Sequence, residues 1–205
     1  MKLQFALIFI SFALTSFSQN TIIAHRGASF DAPENTVASA KLGWEQGADA
    51  VEIDIYLSKD NRVMVIHDKD TKRTCSGKTN LVIADTPSIL LRDLDAGVWK
   101  DAKFKGEKIP FLNEIIEIVP DGKKLVVEIK CGSEVLPHLK RIFEKTGKLD
   151  QMIFIAFSWE TIVDTKKEFP DNKCYWLSSS KEAIKRNIRE VVAAGLDGIN
   201  LHFAT

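Results

Sequence analysis

The stretch that decides the fold reads IIAHRGASFDAPENT over residues 22–36 and AVEIDIYLSKDNRVMVIHD over residues 50–68. It holds three short apolar runs, and β-branched runs of this length are typical of strands. Side chains that can carry chemistry lie within these runs or directly after them: His25, Arg26, Glu52, Asp54 and His67. If the runs are neighbouring strands, these polar groups converge at one edge of a sheet.

The rest of the chain alternates between strand-like and helix-like segments. The predicted strands are Thr21–Ala24, Val51–Leu57, Arg62–His67, Lys124–Lys130, Met152–Phe157, Lys173–Leu177 and Gly198–Phe203. The predicted helices are Thr36–Gln46, Leu112–Val119, Glu134–Thr146, Trp159–Phe169 and Lys181–Ala194. Such alternation favours parallel βα units, and therefore an α/β fold whose strands all run in the same direction.

One interval interrupts the alternation. Residues 69–110 separate a strand from the next helix, and this distance is too long for an ordinary connecting loop. The interval contains apolar side chains that could bury against the domain: Leu90, Leu91, Leu94, Val98 and Trp99. We therefore predict an ordered insertion after the third strand.

Length and charge limit the function classes. The chain has 205 residues, of which 45% are hydrophobic, so it can form one domain with a substantial core. Its 28 basic residues balance its 28 acidic residues, and no basic stripe is visible along the chain. The sequence thus lacks the electrostatic footprint of a nucleic-acid-binding protein, and no nucleic-acid partner is expected.

The chain begins with an export signal. Lys2 precedes an apolar run from Leu3 to Phe17, and Ser16-Phe17-Ser18 has the small-x-small pattern of a cleavage site. This pattern predicts a signal peptide over residues 1–18, a domain over residues 19–205, and a secreted or periplasmic location. The run is shorter than the ~20 residues of a spanning helix, so no stable membrane anchor is expected.

Export would place three cysteines, Cys75, Cys131 and Cys174, in an oxidising compartment. One disulfide and one free thiol could form there, and Cys75 with Cys131 is the candidate pair because both would follow strand ends. The alternative is that all three are unpaired small apolar residues. No two of them have metal-ligand spacing.

A carboxylate cluster is predicted from the second and fourth strands. Glu52 and Asp54 are two residues apart, so a strand directs both side chains to the same face. Glu128, at the end of the fourth strand, could join them. Three nearby carboxylates repel one another unless a cation or raised pKa values intervene, and their oxygens suit Mg²⁺ or Ca²⁺. The alternative is that Glu52 and Asp54 form the exposed face of a half-buried strand.

Basic and titratable groups are predicted at the same edge. His25 and His67 have the imidazole suited to proton transfer near neutral pH. Arg26 could bind a phosphate through paired N–H donors, and Lys130 could add a point charge. The sequence also predicts how the first helix begins. Glu34, Asn35 and Thr36 would provide side-chain caps and an acidic group near its N-terminus.

These motifs together resemble the glycerophosphodiester phosphodiesterase family. HRGASFDAPENT is similar to the opening signature of that family, and it precedes E-x-D, a strand ending in H-D, and a strand ending in E-x-K. KIPFLNEII resembles the segment after the family's insertion, and FIAFS at residues 154–158 resembles its fifth strand. The resemblance runs from Ile22 to the end of the chain.

The resemblance implies a TIM-type (β/α)8 barrel that hydrolyses glycerophosphodiesters to sn-glycerol 3-phosphate and an alcohol. It implies that one divalent cation, Mg²⁺ or Ca²⁺, is bound by Glu52, Asp54 and Glu128. His25 and His67 correspond to the general acid and base, and the resemblance does not decide which is which. Arg26 and Lys130 correspond to the residues that contact the substrate phosphate.

In the family, a further helix and an eighth strand follow the seventh. The chain ends before them, so we expect a barrel truncated after its seventh strand, with impaired activity and stability. A lysophospholipase D-like lipid phosphodiesterase is one alternative function, and a non-catalytic secreted binding domain or inactive fragment is another. The sequence does not indicate the head group of the substrate or the oligomeric state.

Overall fold

The computed structural model describes residues 21–76 and 80–201, so the predicted signal peptide and the last predicted strand residues lie outside it. The strands are β1 (Ile23–Ala24), β2 (Ala50–Leu57), β3 (Val63–Val65), β4 (Lys124–Ile129), β5 (Met152–Ala156), β6 (Lys173–Ser178) and β7 (Gly198–Leu201). The α-helices are α1 (Val37–Glu45), α2 (Ser88–Asp93), α3 (Leu112–Glu117), α4 (Leu136–Thr146), α5 (Trp159–Glu168) and α6 (Lys181–Ala193).

Six of these strands form one parallel, curled sheet in the order β1-β2-β4-β5-β6-β7. Consecutive parallel strands lie side by side because the helices cross back over the sheet between them, as in the wall of a barrel. This architecture confirms the predicted α/β fold, an incomplete TIM-type barrel. Within the described residues, β1 and β7 each pair with a single neighbour, so the wall is open between them.

The prediction that all seven strands run in parallel is wrong for β3. This strand pairs antiparallel with β2, with Ile55 opposite Val65. The connecting residues 58–62 form a tight turn in which the Ser58 N–H donates to the Arg62 carbonyl, 2.9 Å away. A link this short can only form a hairpin, because a parallel return requires a crossover of a dozen or more residues.

The two faces of the sheet have different environments. Val51, Ile53 and Ile55 of β2 are buried in the large core between the sheet and its helices. Ala50 faces the barrel interior, where it packs with Val126, Ile155 and Leu177. Because side chains alternate along a strand, Glu52 and Asp54 share the interior face with Ala50. The interior is therefore apolar at the level of Ala50 and acidic at the level of Glu52 and Asp54.

The described residues of the insertion pack around a small core of their own. Met64 and Ile66 pack there with Ile83, Leu91, Ala96 and Ile109. The predicted burial is correct for Leu91 and wrong for Leu90, which is 50% exposed, and for Trp99, which is 36% exposed. The helix α2 is short and directs one face to the core, so consecutive leucines cannot both be buried.

All three cysteines lie in the described ranges, and none of them is in a disulfide there. The candidate pairing of Cys75 with Cys131 is therefore not formed in this structure. Burial raises the pKa of the Cys75 thiol to about 11 and that of Cys131 to about 12. These thiols pack as small apolar groups.

Over the part of the chain that the structure describes, no helix is long and apolar enough to span a membrane.

An aromatic cluster dominates the helix-facing core, and its loss should be costly. The Phe154 ring is fully buried, lies 5.1 Å from the Phe169 ring and 5.8 Å from the Phe143 ring. Phe154→Ala removes these contacts and leaves a cavity, so we expect the free energy of unfolding to fall by about 3–5 kcal/mol in urea denaturation. Phe30→Ala is the control, because Phe30 is 90% exposed. Equal stability of the two variants would contradict this prediction.

Candidate active site

Three buried carboxylates form the centre of the site. One oxygen from each of Glu52, Asp54 and Glu128 lies within 4.8 Å of the others. The side chains meet because β2 and β4 are parallel neighbours in which Asp54 is directly opposite Glu128. The structure thus excludes the alternative of an exposed strand face, since Glu52 is 5% exposed and Asp54 is fully buried.

Burial and mutual repulsion raise the pKa values of two of these carboxylates. Burial and the Asp54 carboxylate raise the pKa of Glu52 well above its usual value, and the same two causes raise the pKa of Glu128. Lys130 Nζ lies 2.7 Å from Glu128 Oε1 and 3.3 Å from Asp54 Oδ1. Burial opposes the charged ammonium, but the two carboxylates together raise the pKa of Lys130.

The donor set of this cluster fits a hard divalent cation. All three residues offer carboxylate oxygens, which Mg²⁺ and Ca²⁺ prefer. The buried Glu52 Oε1 atom has no hydrogen-bond partner among the described residues. An unpartnered buried carboxylate oxygen is costly, so its environment is suited to an additional positive ligand.

Arg26 lies over the cluster on a strained loop. Its backbone is left-handed, with φ of 56°, and its N–H donates to Glu52 Oε2 at 2.9 Å. The following Gly27 has φ of 78°, and a Cβ there would lie 2.5 Å from the Ser39 backbone. This tight turn against α1 directs the guanidinium of Arg26 inward, where Nε lies 3.5 Å from Asp54 Oδ2.

The two histidines approach the cluster from different loops. His25 Nε2 lies 3.9 Å from Glu52 Oε2, and its ring is largely exposed. Partial burial and the charge of Arg26 lower the pKa of His25. His67 reaches the site because the hairpin returns the chain, so that the Ile66 N–H donates to the Asp54 carbonyl at 2.9 Å. His67 and Lys130 line the same open cavity of about 680 Å³.

The predicted helix-starting role is correct for one residue of three. Thr36 caps α1, accepting from the Ser39 N–H while its own N–H donates to Ser39 Oγ. Asn35 instead contacts Asp54: its Nδ2 donates to Oδ2 at 2.8 Å, and its Oδ1 accepts from the Asp54 N–H at 3.0 Å. Glu34 accepts hydrogen bonds from arginines and caps nothing.

Four residues that hold the predicted site residues in place were not expected from the sequence. They are Glu34, Asn35, Asp68 and Arg73. Asn35 has φ of 57°, a conformation that Asn tolerates better than most residues, which is the one local signal for it. Asp68 could have been inferred from its position next to His67. The contact of Arg73 with Glu34 has no local signal, because Glu34 lies 39 residues away.

Comparison with known proteins relates this chain to one family. Residues 25–203 match the glycerophosphoryl diester phosphodiesterase family. A glycerophosphodiester phosphodiesterase of Caldanaerobacter subterraneus is 38% identical over 157 residues, which cover 74% of this chain and 64% of that protein. One from Bacillus subtilis is 28% identical over 178 residues, which cover 78% and 60%. The chain thus spans less than two thirds of the length of these relatives.

Solved structures agree with this relationship. An Oleispira antarctica phosphodiesterase in complex with the product sn-glycerol-3-phosphate has a TM-score of 0.74 and 30% identity, covering 87% of this chain and 83% of that one. A Thermotoga maritima glycerophosphodiester phosphodiesterase has a TM-score of 0.72 and 28% identity, covering 90% and 75%. Because the family match covers most of the chain, the protein belongs to the glycerophosphoryl diester phosphodiesterase family.

Proposed function

We propose that the protein hydrolyses glycerophosphodiesters to sn-glycerol 3-phosphate and an alcohol. The observation that carries this proposal is the buried cluster of Glu52, Asp54 and Glu128 beside two cationic side chains. Family membership supports it, as does the similarity to a phosphodiesterase solved with sn-glycerol-3-phosphate as its product.

The three carboxylates would hold one divalent cation, either Mg²⁺ or Ca²⁺. They are buried and close together, and one buried oxygen of each lacks a hydrogen-bond partner among the described residues, which suits a cation site of oxygen ligands. When bound, the ion supplies positive charge that stabilises the charge developing on phosphoryl oxygens. Lys130 and Arg26 partly balance the carboxylates and remain able to contact a phosphate group.

Arg26 and Lys130 would orient the substrate phosphate. Arg26 offers a planar set of N–H donors that fits two phosphate oxygens, whereas Lys130 contributes a point charge. In the reaction that we propose, the 2-hydroxyl of the glycerol attacks phosphorus and the alcohol leaves, which forms a cyclic phosphate. Water then opens this ring to give sn-glycerol 3-phosphate.

His25 and His67 would move the protons. In the first step one imidazole takes the proton of the attacking hydroxyl, and the other donates a proton to the leaving alkoxide. The second step reverses these roles. His67 Nδ1 lies 2.7 Å from Asp68 Oδ1, and Arg73 and His67 lower the pKa of Asp68 to about 2. A carboxylate only accepts, so Nδ1 carries the hydrogen and Nε2 of His67 exchanges protons with substrate.

The direct test is turnover of glycerophosphocholine by the purified protein. We expect sn-glycerol 3-phosphate and choline to appear in equal amounts, as measured by coupled enzymatic assays. Phosphocholine as the product would place bond cleavage on the other side of phosphorus and contradict the proposed reaction. If the protein shows no turnover with either Mg²⁺ or Ca²⁺, this result would favour a non-catalytic binding domain of the same fold.

One exposed aromatic side chain favours a second candidate function, in which the same site acts on lysophospholipids. Phe157 follows β5, is 46% exposed, and lies with its ring 5.9 Å from Lys130 Nζ. An exposed aromatic ring this close to the phosphate contact could pack against an acyl chain. Release of choline from lysophosphatidylcholine, faster than from glycerophosphocholine and slowed by Phe157→Ser, would support this function over the first.

Asn35 should influence cation affinity without contacting the ion. Its side chain makes two hydrogen bonds to Asp54, and such outer contacts orient a ligand. We expect Asn35→Ala to weaken Mg²⁺ or Ca²⁺ binding by about 10- to 100-fold in isothermal titration calorimetry. Asn113→Ala on α3 is the control and should leave affinity unchanged. Equal affinities for wild type and Asn35→Ala would contradict the orienting role.

We also propose that the protein is exported. The support is the sequence of the first eighteen residues, with its short basic start, apolar run and small-x-small site. N-terminal sequencing of protein recovered from the native host should begin at Gln19. Intact Met1 on the mature protein would exclude this cleavage.

A further inference from the structure

Arg73, in the insertion, contacts two carboxylates at once. Its Nη1 and Nη2 donate to Glu34 Oε2 and Oε1 at 2.7 and 2.8 Å. Its Nε and Nη2 also donate to Asp68 Oδ2 and Oδ1, at 2.7 and 3.1 Å. One guanidinium therefore makes two-point contacts with acids from two different loops, an arrangement that only arginine geometry allows.

Each of these carboxylates contacts a residue of the proposed site. Glu34 Oε1 accepts from Arg26 Nη1 at 3.0 Å, and Asp68 Oδ1 lies 2.7 Å from His67 Nδ1. Arg26 is the proposed phosphate contact, and His67 is a proposed proton-transfer group. The guanidinium of Arg73 thus connects them through one acid on each side.

Stability alone does not account for this arrangement. The Arg73 side chain is 43% exposed, and exposed ion pairs contribute little to stability. The arginine also keeps both acids in the form that accepts hydrogen bonds. It is the main cause of the low pKa of Asp68, and together with Arg26 it lowers the pKa of Glu34 against the effect of burial.

We propose that Arg73 is a positioning residue that fixes Arg26 and His67 in one catalytic geometry through Glu34 and Asp68. The proposal rests on the proposed function of those two residues. It predicts separable effects, because the Glu34 side affects phosphate binding and the Asp68 side affects proton transfer. A displacement of about 1 Å at a reacting group is enough to cost about 100-fold in rate.

The test compares Arg73→Met with Arg92→Met. Arg92 is the matched control because it belongs to the same insertion and makes a two-point contact with Glu114, at 2.8 and 3.0 Å, away from the site. We expect Arg73→Met to lower kcat/KM for glycerophosphocholine by about 10- to 100-fold, with Tm close to that of Arg92→Met. Arg92→Met should retain kcat/KM within about twofold.

Single substitutions of Glu34 and of Asp68 should separate the effect on KM from the effect on kcat. Glu34→Gln is expected to raise KM more than it lowers kcat, whereas Asp68→Asn should lower kcat more than it raises KM. The double variant of Arg73→Met with Asp68→Asn should lose less than the product of the two single losses, because both remove the same connection. Fully multiplicative losses would overturn the proposal.

A second measurement separates this proposal from the proposed function. Ring ¹⁵N resonances of His67 should report hydrogen on Nδ1 in wild type and in Arg92→Met, and a mixed tautomer in Arg73→Met. If Arg73→Met does not fold, Arg73→Lys is measured instead, and it should give the same mixture because lysine cannot hold both acids. Unchanged His67 resonances would overturn the positioning role. Wild type without turnover but with these ring shifts would reject the proposed function alone.

Discussion

Replacement of His67 by alanine is expected to lower kcat for glycerophosphocholine by about 10²- to 10⁴-fold, the range typical for loss of a positioned acid–base group. His67 contacts Asp68 through Nδ1 and lines the same cavity as Lys130, so its loss removes the proposed proton-transfer group beside a phosphate contact. Steady-state release of sn-glycerol 3-phosphate measures the loss. KM should change little, because the imidazole is not proposed to bind the ground-state phosphate.

The control for this variant is His138→Ala. His138 lies on α4, in a groove with Arg141 and Lys145, away from the carboxylates. It should retain wild-type kcat. His25→Ala should resemble His67→Ala, since each step requires one acid and one base. A His67→Ala variant with more than half of the wild-type rate would remove this residue from the reaction.

Glu52→Gln is expected to abolish turnover and to stabilise the cation-free protein. The amide keeps the shape of the side chain but lowers its affinity for a divalent ion, so release of sn-glycerol 3-phosphate should fall by at least about 10³-fold. The variant also removes one of three buried acids that repel one another. In chelator, its Tm should therefore equal or exceed that of wild type.

The pH dependence of stability follows from the same carboxylates. The pKa of Glu52 is raised in the folded protein, so between the unfolded and folded pKa values the native state binds more protons. The stability of wild type in chelator should thus decrease as pH rises through the folded pKa of Glu52, and Glu52→Gln should weaken this dependence. Glu117→Gln, on the exposed end of α3, should alter neither activity nor pH dependence. A lower Tm for Glu52→Gln in chelator would contradict this account.

Much of the fold was predictable because local sequence patterns determine its strands and helices. Alternating apolar residues mark β2 and a short apolar run marks β4, and the alternation in β2 places Glu52 and Asp54 on one face. The alternation of strands and helices then predicts a parallel barrel wall. The adjacency of β2 and β4 was not predicted, because seven parallel strands in chain order would place β3 between them. The direction of β3 was missed although the short turn before it requires a hairpin.

The connections between distant segments were not predictable. Asn35 is of a residue type that commonly caps helices. Its left-handed backbone instead directs the side chain to Asp54, 19 residues away. Arg73 lies in an insertion without periodicity, and its partners become visible only when the β1–α1 loop and the hairpin are brought together. Such contacts depend on tertiary geometry, which a single sequence does not encode locally.

The most direct test is the release of sn-glycerol 3-phosphate from glycerophosphocholine before and after removal of divalent cations. We expect a chelator to abolish release by wild type and added Mg²⁺ or Ca²⁺ to restore it, whereas neither ion should restore release by Glu52→Gln. Full release in the presence of chelator, with no bound metal detectable by elemental analysis, would contradict the proposed role of Glu52, Asp54 and Glu128 as the cation site of a phosphodiesterase.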